Sequence, residues 1–147
     1  MGQTMTGSQT QGVIGVVIVA HGGLARELLA AAEHVMGRQD AVRTIRIDPD
    51  YDKPVKAAEI RDAADAVDQG RGVAVLVDLH GSSPANLCKA VCGPAPRHIL
   101  TGANVPMLLK LLQTRQLPLD QAAALALAAA RKYIDGRDLG PGEDDDA

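Results

Sequence analysis

Branched apolar residues gather into short runs along this chain, and each run gives way to a stretch whose apolar positions recur at helical spacing. Val13 to Ala20 is apolar almost throughout, the pattern of a strand covered on both faces. After it, Leu24, Leu28, Ala32 and Val35 recur at helical intervals and mark a buried face, with Gly37 suited to close the helix. "VRTIRI", Val42 to Ile47, alternates, which predicts a strand at the edge of a sheet. In "DPDYDKPVKAAEIRDAADAVDQG" the Asp residues and Pro54 open a second helix, Val55, Ala58, Ala63 and Val67 mark its inner face, and Gly70 its stop. "GVAVLVD" predicts a third strand closed by an acid. Pro84 opens a helix to about Cys92, and "RHILT" makes a short fourth strand. Two helical stretches follow, about Pro106 to Leu112 and Leu119 to Tyr133.

Strands and helices in strict alternation imply right-handed crossovers and a mostly parallel sheet with helices on both faces. The expected fold is a flavodoxin-like, doubly wound α/β domain of about four strands in the order 2-1-3-4. It spans residues 13–135, after a polar leader (1–12) and before an acidic tail (136–147); both ends are read as disordered, since neither carries enough apolar surface to fold.

Composition narrows the function classes. The 147 residues include no Phe or Trp and only two Tyr, Tyr51 and Tyr133, so the core must be aliphatic and stacking platforms for single-stranded nucleic acid are missing. A net charge of -3 leaves no basic footprint for DNA or RNA. No apolar run approaches the ~20 residues that span a bilayer. The leader "MGQTMTGSQTQG" matches a myristoylation pattern at Gly2 and Thr6, but no basic cluster follows it. It also lacks the basic and apolar regions of a signal peptide. A cytoplasmic protein is expected. Cys88 and Cys92, four residues apart, read as two small buried hydrophobes in a reducing compartment.

Open parallel sheets collect ligands at the carboxyl ends of their strands, where the strand order reverses. In the order 2-1-3-4 that point lies between strands one and three, and each of these ends in an ionisable residue, His21 and Asp78. Adjacent strands lie ~4.8 Å apart, so the two side chains can touch. An aspartate bonded to one ring nitrogen fixes the tautomer, orients the ring and makes the other nitrogen a better nucleophile toward phosphorus. Gly22 and Gly23 turn the chain into the first helix. After Asp78, in "LHGSSPANL", Gly81 permits close backbone approach, Ser82 and Ser83 offer hydroxyls, and Pro84 suits a helix start whose N–H groups favour an anion. These residues provide a nucleophile, an orienter and an anion cradle, with no metal cage and no cofactor motif. Taken singly, His21 at a strand end, Asp78 capping a turn and Ser83 as a helix cap are all structural commonplaces; their joint placement points to a site. His34 and His98 read as surface and strand-edge residues, and His80 adjoins the site.

Three segments, "GVVIVAHGGLARELLAAAEHVMG", "VAVLVDLHGSSPANL" and "LTGANVPMLLKLL", joined by "ARKYI", cover most of residues 13 to 134. Together they resemble the enzyme IIA components of the mannose family of the bacterial phosphoenolpyruvate-dependent phosphotransferase system. The resemblance implies that His21 is the phosphorylated histidine, Asp78 its partner and Ser83 a phosphate-contacting hydroxyl, with Asn104 and Pro106 flanking the site. Ser82 stands where the family usually has a second glycine, and His80 where a bulky apolar residue is common. It further implies a phosphotransferase component with a phosphohistidine intermediate, charged by phospho-HPr. The phosphoryl group then passes to a IIB partner for sugar uptake, or its presence is read out as regulation. A homodimer is implied as well, with an antiparallel strand exchanged between subunits, for which "KYIDG" is the candidate. Two other classes share parts of the pattern. Small α/β chelatases also place a His-Gly pair after their first strand, which would make His21 and His80 metal ligands, and a pure binding module would use His21 structurally. A serine hydrolase is set aside, because "GSSPA" lacks the closing glycine of a nucleophile elbow.

Overall fold

The computed structural model describes residues 12–79, 86–88 and 96–141. Among these residues four strands, β1 (Gly15–His21), β2 (Val42–Ile47), β3 (Val73–Val77) and β4 (Arg97–Thr101), form one sheet in the order β2-β1-β3-β4, every pair parallel. Helices α1 (Leu24–Met36), α2 (Lys53–Val67), α3 (Val105–Gln113) and α4 (Leu119–Lys132) cover it. The predicted α/β class and strand order are those found. The predicted helix from Pro84 to about Cys92 lies outside the described residues, except for helical residues 86–88, where Cys88 is buried. Cys92 lies outside them too.

Strand alternation divides the core into two layers. Val16, Ile18 and Ala20 of β1, Ala74 and Leu76 of β3 and Leu100 of β4 pack under α1, α3 and α4. Val17 and Val19, with Ile45, Ile47, Val75 and Val77, face α2 and Cys88. Because β1 and β3 are covered on both sides, they can be apolar throughout. Gly15 is required where β1 passes the end of α2: a Cβ there would stand 2.3 Å from the Val67 carbonyl oxygen.

Two expected helix faces are corrected. In α1 the buried residues are Ala25, Leu28 and Ala32, while Leu24 and Val35 are exposed. In α2 they are Ile60, Ala64 and Val67, while Val55 is exposed. Helices resting on a sheet approach closely when small residues face it, so alanines take the inner stripe and some larger apolar side chains turn outward. The "KYIDG" segment does not form a strand in this chain: Lys132 ends α4, Tyr133 is its C-cap, and Tyr133 and Ile134 are exposed.

At the amino ends of β1 and β2 the connector after α3 is locked by Arg115, the one polar or charged residue buried among those described. Its Nε donates to the Ile14 carbonyl (2.8 Å), Nη1 to that of Asp40 (2.8 Å) and Nη2 to that of Ala41 (2.9 Å). Burial lowers the guanidinium pKa, an effect countered in part by the charge of Asp40.

Candidate active site

His21 is the last residue of β1, one position further into the strand than the sequence pattern suggests. What ends the strand is Gly22, whose φ of +56° turns the chain into a conformation that costs an L-residue roughly 1–2 kcal/mol. Its N–H still bonds the Ile47 carbonyl of β2 at 3.0 Å, so the turn stays anchored to the sheet. Gly23 is the N-cap of α1 and offers no side-chain acceptor to the first amides of the helix.

Asp78 follows directly on β3. The register pairs Val19 with Val77, so the next residues along the rim are Ala20, His21 and Asp78. Asp78 Oδ2 accepts two hydrogen bonds from one residue: the His21 backbone N–H at 3.0 Å and ring Nδ1 at 2.8 Å. The carboxylate side chain is only 8% exposed, whereas the imidazole is 50% exposed. Burial pushes the Asp78 carboxyl up, but the His21 amide, the ring hydrogen bond and the attraction to the ring together outweigh it, so the net shift is downward. An ionised carboxylate can only accept. The Nδ1 atom therefore carries a hydrogen in either state of the ring, and whenever the ring is neutral its lone pair is on Nε2. The amide clamp fixes the carboxylate and the carboxylate fixes the ring, so a nucleophilic nitrogen is oriented before any reactant arrives.

Gly22 and Gly23, with Ala25, Arg26, Thr44, Ile45 and Arg46, line a cavity of about 170 Å³ between the start of α1 and β2; His21 and Asp78 do not line it. The two arginines were not anticipated: Arg46 belongs to the alternation that marked β2 as an edge strand, and the parallel register sets it across from Ala20, one position before the His21–Ile47 pair. Gly81, Ser82 and Ser83, and His80 with them, lie outside the described residues. Asn104 and Pro106 sit at the start of α3, just past the carboxyl end of β4. Asn104 acts as the N-cap, its Oδ1 accepting from the Met107 N–H (2.9 Å), while its Nδ2 donates to the Ala130 carbonyl of α4 (3.1 Å). Both ends of this amide are thus committed to the scaffold. Asn104→Ala is expected to cost about 2 kcal/mol in urea unfolding, the sum of a lost cap and a lost tertiary bond. Asn104→Asp, which keeps only the cap, is expected to recover part of that.

Among the described residues no helix is long and apolar enough to cross a membrane. A parallel 2-1-3-4 sheet with a histidine hydrogen-bonded to a carboxylate at its reversal point defines a small α/β protein with an ionisable pair at the carboxyl ends of its strands. Comparison with known proteins specifies the family. The EIIA-man family model, described as the PTS system fructose IIA component, matches residues 15–128, and the chain belongs to this family. The mannose-specific EIIAB component of the same system from Escherichia coli K12 is 30% identical over 124 residues, 82% of this chain and 38% of the relative. The chain thus spans well under half the length of the curated relatives it matches. Among solved structures, the IIA protein associated with the fucose utilization operon of Streptococcus pneumoniae is 25% identical with a TM-score of 0.73, covering 85% of this chain and 94% of that one. The mannose/sorbose-specific IIA subunit from Enterococcus faecalis has a TM-score of 0.76 at 20% identity, covering 88% and 98%, and shows the shared fold.

Proposed function

We propose that the chain is a phosphocarrier of the phosphotransferase system, with His21 as the atom-bearing residue. Nε2 attacks the phosphorus held on the histidine of phospho-HPr. As the new N–P bond forms, the bond to the donor nitrogen breaks, its electron pair returning to the donor ring. The same events in reverse order deliver the group to a IIB partner and commit it to sugar uptake. Asp78 keeps the ring in the reactive tautomer and offsets the positive charge that grows on it as Nε2 bonds to phosphorus. On this reading Gly22, Gly23, Gly81, Ser82 and Ser83 are the phosphate-binding residues by sequence, and Asn104 and Pro106 the flanking ones. The protein works in the cytoplasm as a homodimer. The observation that carries this reading is the 2.8 Å bond from Nδ1 to a buried carboxylate behind a half-exposed ring, in a chain of this family. The family assignment does not favour a chelatase or a purely structural His21.

Intact mass measurement after incubation with phosphoenolpyruvate, enzyme I and HPr tests the proposal. A single acid-labile phosphoryl adduct is expected on the wild type and none on His21→Ala. A wild type without adduct, or an adduct that survives in His21→Ala, would overturn it.

A further inference from the structure

Two arginines from different elements, Arg26 of α1 and Arg46 of β2, line the cavity of about 170 Å³ between the start of α1 and β2, and no acidic residue lines it. Strand alternation explains how they meet. Val42 packs into the layer under α1, whereas Ile45 and Ile47 pack into the layer facing α2, so Thr44 and Arg46 share the face of Val42. His21, in register with Ile47, alternates with Val17 and Val19 onto the other face, and the cavity is separate from the His21–Asp78 pair. Asp48 Oδ1 accepts from Arg46 Nε at 2.7 Å and orients the fork, leaving the two Nη groups without a partner among the described residues. Nη1 lies 3.9 Å from the position a Cβ on Gly23 would occupy, so the glycine leaves the space between turn and guanidinium empty. Arg26 has no ion pair or hydrogen-bonded side-chain partner among the described residues. Glu27, in the first turn of α1, does not line the cavity, and Asp48 is committed to Arg46. Two unneutralised guanidinium groups thus share one small cleft. A guanidinium fork matches two oxygens of a phosphate, and the volume, room for several waters, accommodates one tetrahedral oxyanion.

We propose that this cleft is an anion site distinct from His21, in which Arg46, oriented by Asp48, and Arg26 bind free phosphate or the phosphate group of a small monoester. The site uses neither His21 nor Asp78 and so does not rest on the phosphocarrier reading. The competing explanation is that Arg46 only keeps the β2 edge from pairing with other chains and that Arg26 is an ordinary surface cation; in that case no saturable binding occurs.

Amide NMR spectra recorded during titration with inorganic phosphate or glycerol phosphate, at constant pH and ionic strength, test the proposal. Saturable shifts are expected at Gly22, Gly23, Arg26, Thr44 and Arg46. Binding of both anions would show that the phosphate group alone is read, and binding of the monoester alone that the rest of that molecule contributes. Arg46→Ala is expected to raise Kd about tenfold, the value of one charge-assisted hydrogen bond. Arg46→Lys, which keeps the charge but not the fork, should fall between, and Arg26→Ala should have a smaller effect in the same direction. Thermal unfolding without ligand is expected to be unchanged in these variants, since both side chains are exposed. His21→Ala should bind as tightly as the wild type. No saturable shift with either anion, an unchanged Kd in Arg46→Ala, or the same shifts from chloride would overturn the proposal. So would loss of binding in His21→Ala, which would place the anion at the phosphoryl site instead. Adduct formation on His21 is a separate measurement, and its failure would leave this site standing.

Discussion

Asp78→Ala is expected to lower the rate of phosphoryl uptake by His21 about a hundredfold or more, while Asp78→Asn is expected to lower it only about tenfold. The difference follows from one oxygen. Oδ2 accepts both the His21 amide and the ring Nδ1–H, and the amide oxygen of an asparagine placed there can accept both as well. Tautomer and orientation then survive and only the negative charge is lost. A hydrogen bond to a charged group exceeds a neutral one by about 1 kcal/mol or more, which approaches a factor of ten in rate. Alanine removes the charge, the tautomer control and the ring anchor at once. Rates measured by intact mass under single-turnover conditions check the order wild type, Asn, Ala. Equal rates for wild type and Asp78→Asn would show that the carboxylate charge has no part in transfer.

The same pair has a pH signature. The Asp78 carboxyl in the folded chain lies below its ordinary value near 3.8, so the unfolded chain holds that proton more tightly. The linked stability is fully present above the ordinary value and is lost as pH falls through the lower, folded one. The difference in urea midpoint between wild type and Asp78→Asn should therefore stay constant from neutral pH down to about pH 4 and close only in stronger acid.

How much of this was readable beforehand depended on what each residue's neighbours had to be. β1 and β3 were legible because a strand covered on both faces must be apolar throughout, and the edge strand Val42–Ile47 because one open face makes it alternate; Arg97–Thr101 also falls where it was expected. The His21–Asp78 pair was legible for a related reason: an ionisable residue at the end of such a run is costly unless it finds a partner. The helix faces were less legible. Spacing alone cannot rank Leu24 against Ala25, and in this chain the sheet selects the smaller residue; α4 carries the tendency furthest, burying Ala122, Ala123, Ala126, Ala129 and Ala130. Arg46 and Arg115 were not legible at all. An arginine in "VRTIRI" or "LQTRQL" looks like any surface cation until the fold supplies a cavity for one and three carbonyls for the other.

Arg115 is where the largest loss of stability is expected. Replacing it with Met fills much of the same space but withdraws all three donors from Ile14, Asp40 and Ala41, residues 101, 75 and 74 positions away. The Ala41 carbonyl keeps a second donor, the Val16 N–H at 3.1 Å, and Asp40 is exposed to water, so the penalty falls mainly on the carbonyl of fully buried Ile14. At about 1–3 kcal/mol for a buried acceptor left unpaired, with a smaller loss from the other two bonds, Arg115→Met should cost roughly 2–4 kcal/mol, a large share of the ~5–15 kcal/mol that holds a domain together. Arg115→Lys, a single ammonium that can still reach some of these carbonyls, should lose less. The site offers an internal control. The Ile14 carbonyl precedes β1 and His21 ends it, and at ~3.3 Å per residue the seven residues of that strand separate the two by about 20 Å. Under conditions where Arg115→Met remains folded, phosphoryl uptake per folded molecule should match the wild type. A variant that unfolds at the wild-type urea concentration would show that the three bonds add nothing net, and one that stays folded yet loses transfer would show that this end of the sheet sets the geometry at His21.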